Sequence, residues 1–91
     1  MDRVYILKED TAKRGRPVDF LIWMVSEKKD MVFEKARILA EGNGSSLSSG
    51  HWYEIMVFDN SHGRFLEDYL VSKESGEVKF LKGECRLKAS L

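Results

Sequence analysis

The stretch Val18-Asp19-Phe20-Leu21-Ile22-Trp23-Met24-Val25 decides the fold. Nearly every position in it is apolar, so periodicity alone does not separate strand from helix. Its eight residues include three β-branched side chains and a tryptophan, which fits a buried strand better than a helix. Pro17 at its head suits a first strand residue or a first helical position. If the segment were helical, it would run through residues 26–30 into one long helix, and the sheet would lose a strand. As a strand it places Trp23 in the core.

Upstream, residues 4–7 are a short run of β-formers. Residues 8–17 are polar and contain Gly15 and the only proline, and they read as a loop. Downstream, residues 26–30 are polar and offer Ser26 and Asp30 as helix N-caps. The clearest helix spans 31–41. Met31, Val32, Ala36, Leu39 and Ala40 recur at helical spacing, with Phe33 at the edge of that stripe. Glu34, Lys35, Arg37 and Glu41 form the other face. Gly42 is placed to stop the helix in a left-handed conformation.

Residues 42–50 form a Gly/Ser loop too short to link domains. Residues 51–58, aromatic and β-branched, read as a strand. A turn at 59–63 leads to a returning strand at 64–71. A second turn at 73–76 carries Gly76 as the positive-φ position, and a short strand follows at 78–81. The tail, 84–91, has no assigned element. The order is β-β-α-β-β-β. It defines an α+β fold over a single domain, residues 1–91, with one amphipathic helix packed on an antiparallel sheet of four to five strands.

Composition narrows function. Ninety-one residues hold one modest core, burying about 60–65% of the unfolded surface. Fifteen basic and fifteen acidic side chains leave a formal charge of zero, which excludes attachment to nucleic acid by bulk charge. The longest uncharged apolar run, 20–26, is far short of the ~20 residues that span a bilayer, so no membrane partner is expected. Cys85 is the single cysteine and closes no internal disulfide; it reads as a packing thiol. Residues 1–5 lack the charged and apolar regions of a signal peptide, and a cytoplasmic location is expected.

Catalytic and metal chemistry is sparse. His51, His62 and Cys85 are eleven and twenty-three residues apart and show no zinc-knuckle spacing. Residues 42–47 resemble a Gly-rich phosphate loop only superficially, because they follow a helix and precede a strand. Asp59, Ser61 and His62 share one tight turn and cannot form the extended line of a triad, although Asp59 and His62 are near enough to hydrogen-bond. Glu67 and Asp68 are strand neighbours, so they point to opposite faces, one toward solvent or a cross-strand cation. No enzyme activity, cofactor or metal is expected.

Binding residues are easier to name. Trp52 and Tyr53 are adjacent on one strand, so one faces the helix and the other faces away; with Tyr69 they are candidate anchors for a partner protein. Lys13, Arg14 and Arg16 form a basic loop, and Lys79, Lys82, Arg86 and Lys88 a second basic segment, the alternative being contact with single-stranded nucleic acid.

Residues 34–80 resemble a cystatin-like or PepSY-type unit. The helix phrase is Ala36-Arg37-Ile38-Leu39-Ala40, the following strand Trp52-Tyr53-Glu54-Ile55-Met56-Val57-Phe58, and the returning strand runs from Tyr69 into the Gly76 turn. The Q-x-V-x-G loop of true cystatins is absent. The resemblance therefore implies a binding or inhibitory module and carries over no catalytic residue. The expected function is a non-enzymatic module that binds another protein, or a second copy of itself, through a sheet face or edge, as an inhibitor, immunity, anti-defence or regulatory factor would.

Overall fold

The computed structural model describes residues 2–13, 16–43 and 51–83. Strands β1 (Arg3–Lys13) and β2 (Arg16–Ser26) form a hairpin. Helix α1 (Lys29–Asn43) follows, then β3 (His51–Asp59), β4 (Arg64–Glu74) and β5 (Glu77–Lys82). All pairings are antiparallel, and the sheet order is β2-β1-β3-β4-β5. The protein is thus an α+β domain with one helix on a five-stranded sheet.

The segment 18–25 is a strand, but not a buried one. It lies at the sheet edge, and Trp23 is 40% exposed rather than part of the core. The helix covers the middle of the sheet instead. Residues 8–13 are a second correction, since they continue β1 rather than forming a loop. β1 has a ladder on each side, pairing Lys8 with Ile22 and Glu54, and Asp10 with Phe20 and Trp52. Two flanking strands impose extended backbone on a polar sequence with weak strand preference of its own.

The β1–β2 register shifts between Leu7 and Lys8. Leu7 faces Met24 and Lys8 faces Ile22, so Trp23 is the extra residue of a β-bulge. The bulge turns Trp23 and Met24 to the same side. Met24 packs on the core, and Trp23 reaches Lys35 of α1, whose Nζ lies 5.8 Å over the indole ring.

One sheet face holds the main core. Tyr5, Leu7, Tyr53, Ile55, Val57 and Val71 meet Val32, Ala36 and Ala40 of α1. The two alanines are fully buried, and their small side chains let the helix lie close to the sheet. Phe33 belongs to this packing rather than to the margin, with Phe80 and Tyr69 rings 4.9 and 5.2 Å away. Met31 is half exposed instead of buried.

α1 is longer than the apolar stripe. It begins before Met31, and Gly42 sits in its last turn without a positive φ, so it is not the stop. Asp30 lies inside the first turn, where a negative charge suits the helix dipole. Ser26 Oγ accepts from Lys28 N–H at 3.0 Å, bracing the approach to the helix rather than capping it. Lys73 Nζ donates to the Glu41 carbonyl at 3.0 Å and ties the far end to β4.

β4 extends three residues past 71, so the 73–76 turn narrows to Ser75-Gly76. Both have positive φ, +52° and +79°, the pattern of a two-residue type I′ hairpin, with Gly76 where expected.

Candidate functional site

Two surfaces bear on function: the β2 edge and the sheet face away from the helix.

At the edge, β2 has β1 on one side and, among the described residues, no strand on the other. Phe20, Leu21, Ile22 and Val25 are each more than half exposed. Alternation and the bulge place Leu21 and Trp23 on the helix side, and Phe20, Ile22 and Val25 on the opposite side. Both faces of this edge are therefore apolar. On α1, Met31 and Ile38 share a flank with Lys35, at spacings of four and three residues, and both are about half exposed. They extend the apolar surface beside Trp23.

The other edge is different. β5 has six residues, and its Glu77, Lys79 and Lys82 are exposed. Short length and charge are the usual protection of a sheet edge against unwanted pairing. Of the two edges only β5 is guarded this way. β2 carries Pro17 at its start, a residue tolerated only at edges, and no charge from Phe20 to Ser26.

On the face opposite the helix, Trp52 and Leu70 form a second small cluster with Leu81. Beside it lie Asp10, Glu54, Asp68 and Ser72, all buried. Lys8 Nζ is 3.3 Å from both Asp10 Oδ1 and Glu54 Oε1. Burial pushes the Glu54 carboxyl up to about 7; Lys8 opposes this, and a shared hydrogen bond with Asp68 together with the Asp10 and Asp68 charges adds to it. For Lys8, burial works downward, but the Glu54 and Asp10 carboxylates outweigh it and raise the ammonium pKa. The group is an internal ion cluster to which three strands contribute. Among the described residues, no set of three His, Cys, Asp or Glu side chains could hold a metal ion.

A further polar chain runs along the helix side. Glu9 accepts from Trp23 Nε1 at 2.8 Å through one oxygen, and its other oxygen lies 3.0 Å from His51 Nε2. Glu9 thereby fixes the indole at the edge strand.

The expected anchors fall elsewhere than on an open surface. Trp52 and Tyr53 do point to opposite faces, but both are buried, Tyr53 in the main core and Trp52 in the second cluster. Tyr69 is half-buried against Phe33 and donates its hydroxyl to Glu67. That hydrogen bond pushes the Tyr69 phenol up to about 12 and holds Glu67 below the usual carboxylate range. None of the three is an open anchor; the exposed aromatics are Phe20 and Trp23.

Of the basic candidates, Lys13 and Arg16 are cross-strand partners at the end of the β1–β2 hairpin. Lys82 lies 3.4 Å from Glu67, the cross-strand cation expected for one of the adjacent carboxylates. Arg14, Arg86 and Lys88 lie outside the described residues, as do Cys85, the tail and positions 44–50. Asp59 and His62 hydrogen-bond across their turn at 3.0 Å as expected, and Ser61 N–H closes the turn on Asp59 at 2.9 Å.

The edge and the ion cluster were both missed in the sequence. An apolar run without alternation pointed to burial on two faces; it equally describes an edge strand awaiting cover. No local pattern announces that Lys8, Asp10, Glu54 and Asp68 converge, because three different strands contribute them.

No helix among the described residues is long and apolar enough to cross a membrane. No family model, curated protein or solved structure matches the chain.

Proposed function

We propose that this protein is a non-enzymatic protein-binding module and that its contact surface is the β2 edge. The observation that carries the reading is the contrast between the two edges: a charged, six-residue β5 and an eleven-residue β2 whose residues 20–25 are uncharged and expose apolar side chains on both faces. An edge of this kind adds a strand from its partner. Backbone hydrogen bonds supply affinity, and side chains on both faces supply selectivity. The cystatin-like pattern at residues 34–80 points the same way. Trp52, Tyr53 and Tyr69 are packed against the rest of the fold, which favours β2 over them as the contact surface.

The test is site-specific photocrosslinking in the source cell. Replacing Leu21 with p-benzoylphenylalanine should give a protein adduct of defined mass that is lost when Val25→Lys is added. The same replacement at Lys79, on the guarded edge, should give none. Equal adducts at both positions, or none at position 21, would overturn the reading.

A further inference from the structure

We infer that the occupant of the β2 edge is the β2 strand of a second copy, paired antiparallel about a two-fold axis perpendicular to the sheet, which rests on the edge being the contact surface as proposed above. Such an axis keeps the faces of the two sheets aligned. It doubles the five strands into one continuous sheet and leaves both helices on the same side.

The choice of a second copy follows from the chemistry of the edge. A strand that covers β2 on both faces must itself be apolar on both faces. Ordinary half-buried strands alternate and supply only one such face. Residues 20–26 supply both and carry no charge, so two copies meet without like-charge repulsion. The chain as a whole has zero formal charge, which removes long-range repulsion between copies. Pro17 has no N–H to donate, so the pairing segment lies after it.

The exposed parts of the five β2 side chains present on the order of 500 Å² per protomer, and Met31 and Ile38 raise this to roughly 700 Å²; edge pairing covers the flanks of these side chains, so this is the upper bound on what each copy contributes, against the ~800 Å² of a standard interface. Backbone hydrogen bonds along the new ladder add to this. A two-fold pairing also closes on itself: it consumes the apolar β2 edge of both copies and leaves, among the described strands, the charged β5 edges outward, so assembly stops at two.

Sedimentation equilibrium of the full chain from about 1 to 200 µM tests the inference. The expected mass is twice the 10.5 kDa of the chain. Ile22→Lys and Val25→Lys should each weaken association at least ~100-fold, because edge lysines oppose pairing. Far-UV circular dichroism and a melting curve should show each variant folded, since both side chains are more than half exposed. A single-copy mass throughout the range would overturn the inference, as would a dimer indifferent to both lysines. If position 21 crosslinks to a different protein while the chain sediments as one copy, the β2 surface stands and the second copy falls. If β2 lysines abolish neither adduct nor dimer, both fall.

Discussion

Lys8 and Glu54 face each other across the β1–β3 ladder, with Nζ and Oε1 3.3 Å apart on the sheet face away from the helix. Asp10 from β1 lies against the same ammonium, and Asp68 from β4 shares a hydrogen bond with Glu54. Burial, helped by the Asp68 hydrogen bond and the Asp10 and Asp68 charges and opposed by Lys8, pushes the Glu54 carboxyl up to about 7.

Stability should therefore fall as pH rises from about 4.5 to 7. Glu54 has a folded pKa above its unfolded value, so in this window the native state binds more protons than the unfolded chain. Raising the pH then favours unfolding, by an amount on the order of 1–3 kcal/mol. The carboxylates held below their ordinary range, Glu67 and Asp59, contribute stability that is lost only at lower pH, as the medium falls through their folded values. Urea melts at pH 5, 6, 7 and 8 should show a declining midpoint, and Glu54→Gln should flatten the decline. A midpoint that climbs from pH 5 to 8 contradicts the assignment.

Removing the cation should be worse than removing an acid. Lys8→Met leaves Asp10 and Glu54 buried without their counter-ion, and breaking a buried pair from one side costs about 3–5 kcal/mol. The loss should be smaller at pH 5, where Glu54 is protonated. Lys8→Met, Glu54→Gln and the double variant, each measured against the unsubstituted protein at pH 7, give the coupling, and additive effects would show that the two side chains do not interact.

The helix-to-sheet spacing gives a packing prediction. Ala36 and Ala40 are fully buried between α1 and the strands. Ala36→Leu should destabilise by about 1–3 kcal/mol through overpacking, despite leucine's good helix propensity. An unchanged or raised melting temperature would mean that the helix stands farther from the sheet than described.

How much of this was legible follows from the range of the forces. The helix stripe, the Gly76 turn and the strand at 51–58 are written in neighbouring residues, and each lies where the pattern placed it, with ends displaced by a few residues. Residues 8–13 were not legible, because their extended form is imposed by β2 and β3. The position of β2 was not legible either. Hydrophobicity records that Phe20 to Val25 seek cover, but whether that cover comes from the same chain depends on strand order. The same ambiguity applies to the ring of the Trp52–Tyr53 pair that faces away from the helix: Trp52 reads as open until Leu70 and Leu81 are seen to pack on it.

The Ser75-Gly76 hairpin should accept a stabilising change. Both residues have positive φ, a conformation that asparagine tolerates better than serine. Ser75→Asn should raise stability by a few tenths of a kcal/mol, whereas Gly76→Ala should lower it by about 1 kcal/mol, since alanine is strained at φ +79°. Urea midpoints moving in the same direction for the two variants would contradict the type I′ assignment.

The hairpin cations alone should not sustain nucleic-acid binding. Lys82 is engaged by Glu67, and among the described residues the β1–β2 hairpin end pairs Lys13 with Arg16, with Arg14 between them in sequence. Three phosphate contacts to a single strand give a log–log salt slope of about 2 at most. Binding of labelled single-stranded DNA, followed by anisotropy from about 50 to 200 mM salt, should therefore be weak, with Kd no tighter than ~10⁻⁴ M at the upper end. A slope of about 3 or more together with micromolar affinity would require cations beyond the hairpin, and would transfer the functional surface from the β2 edge to the basic residues.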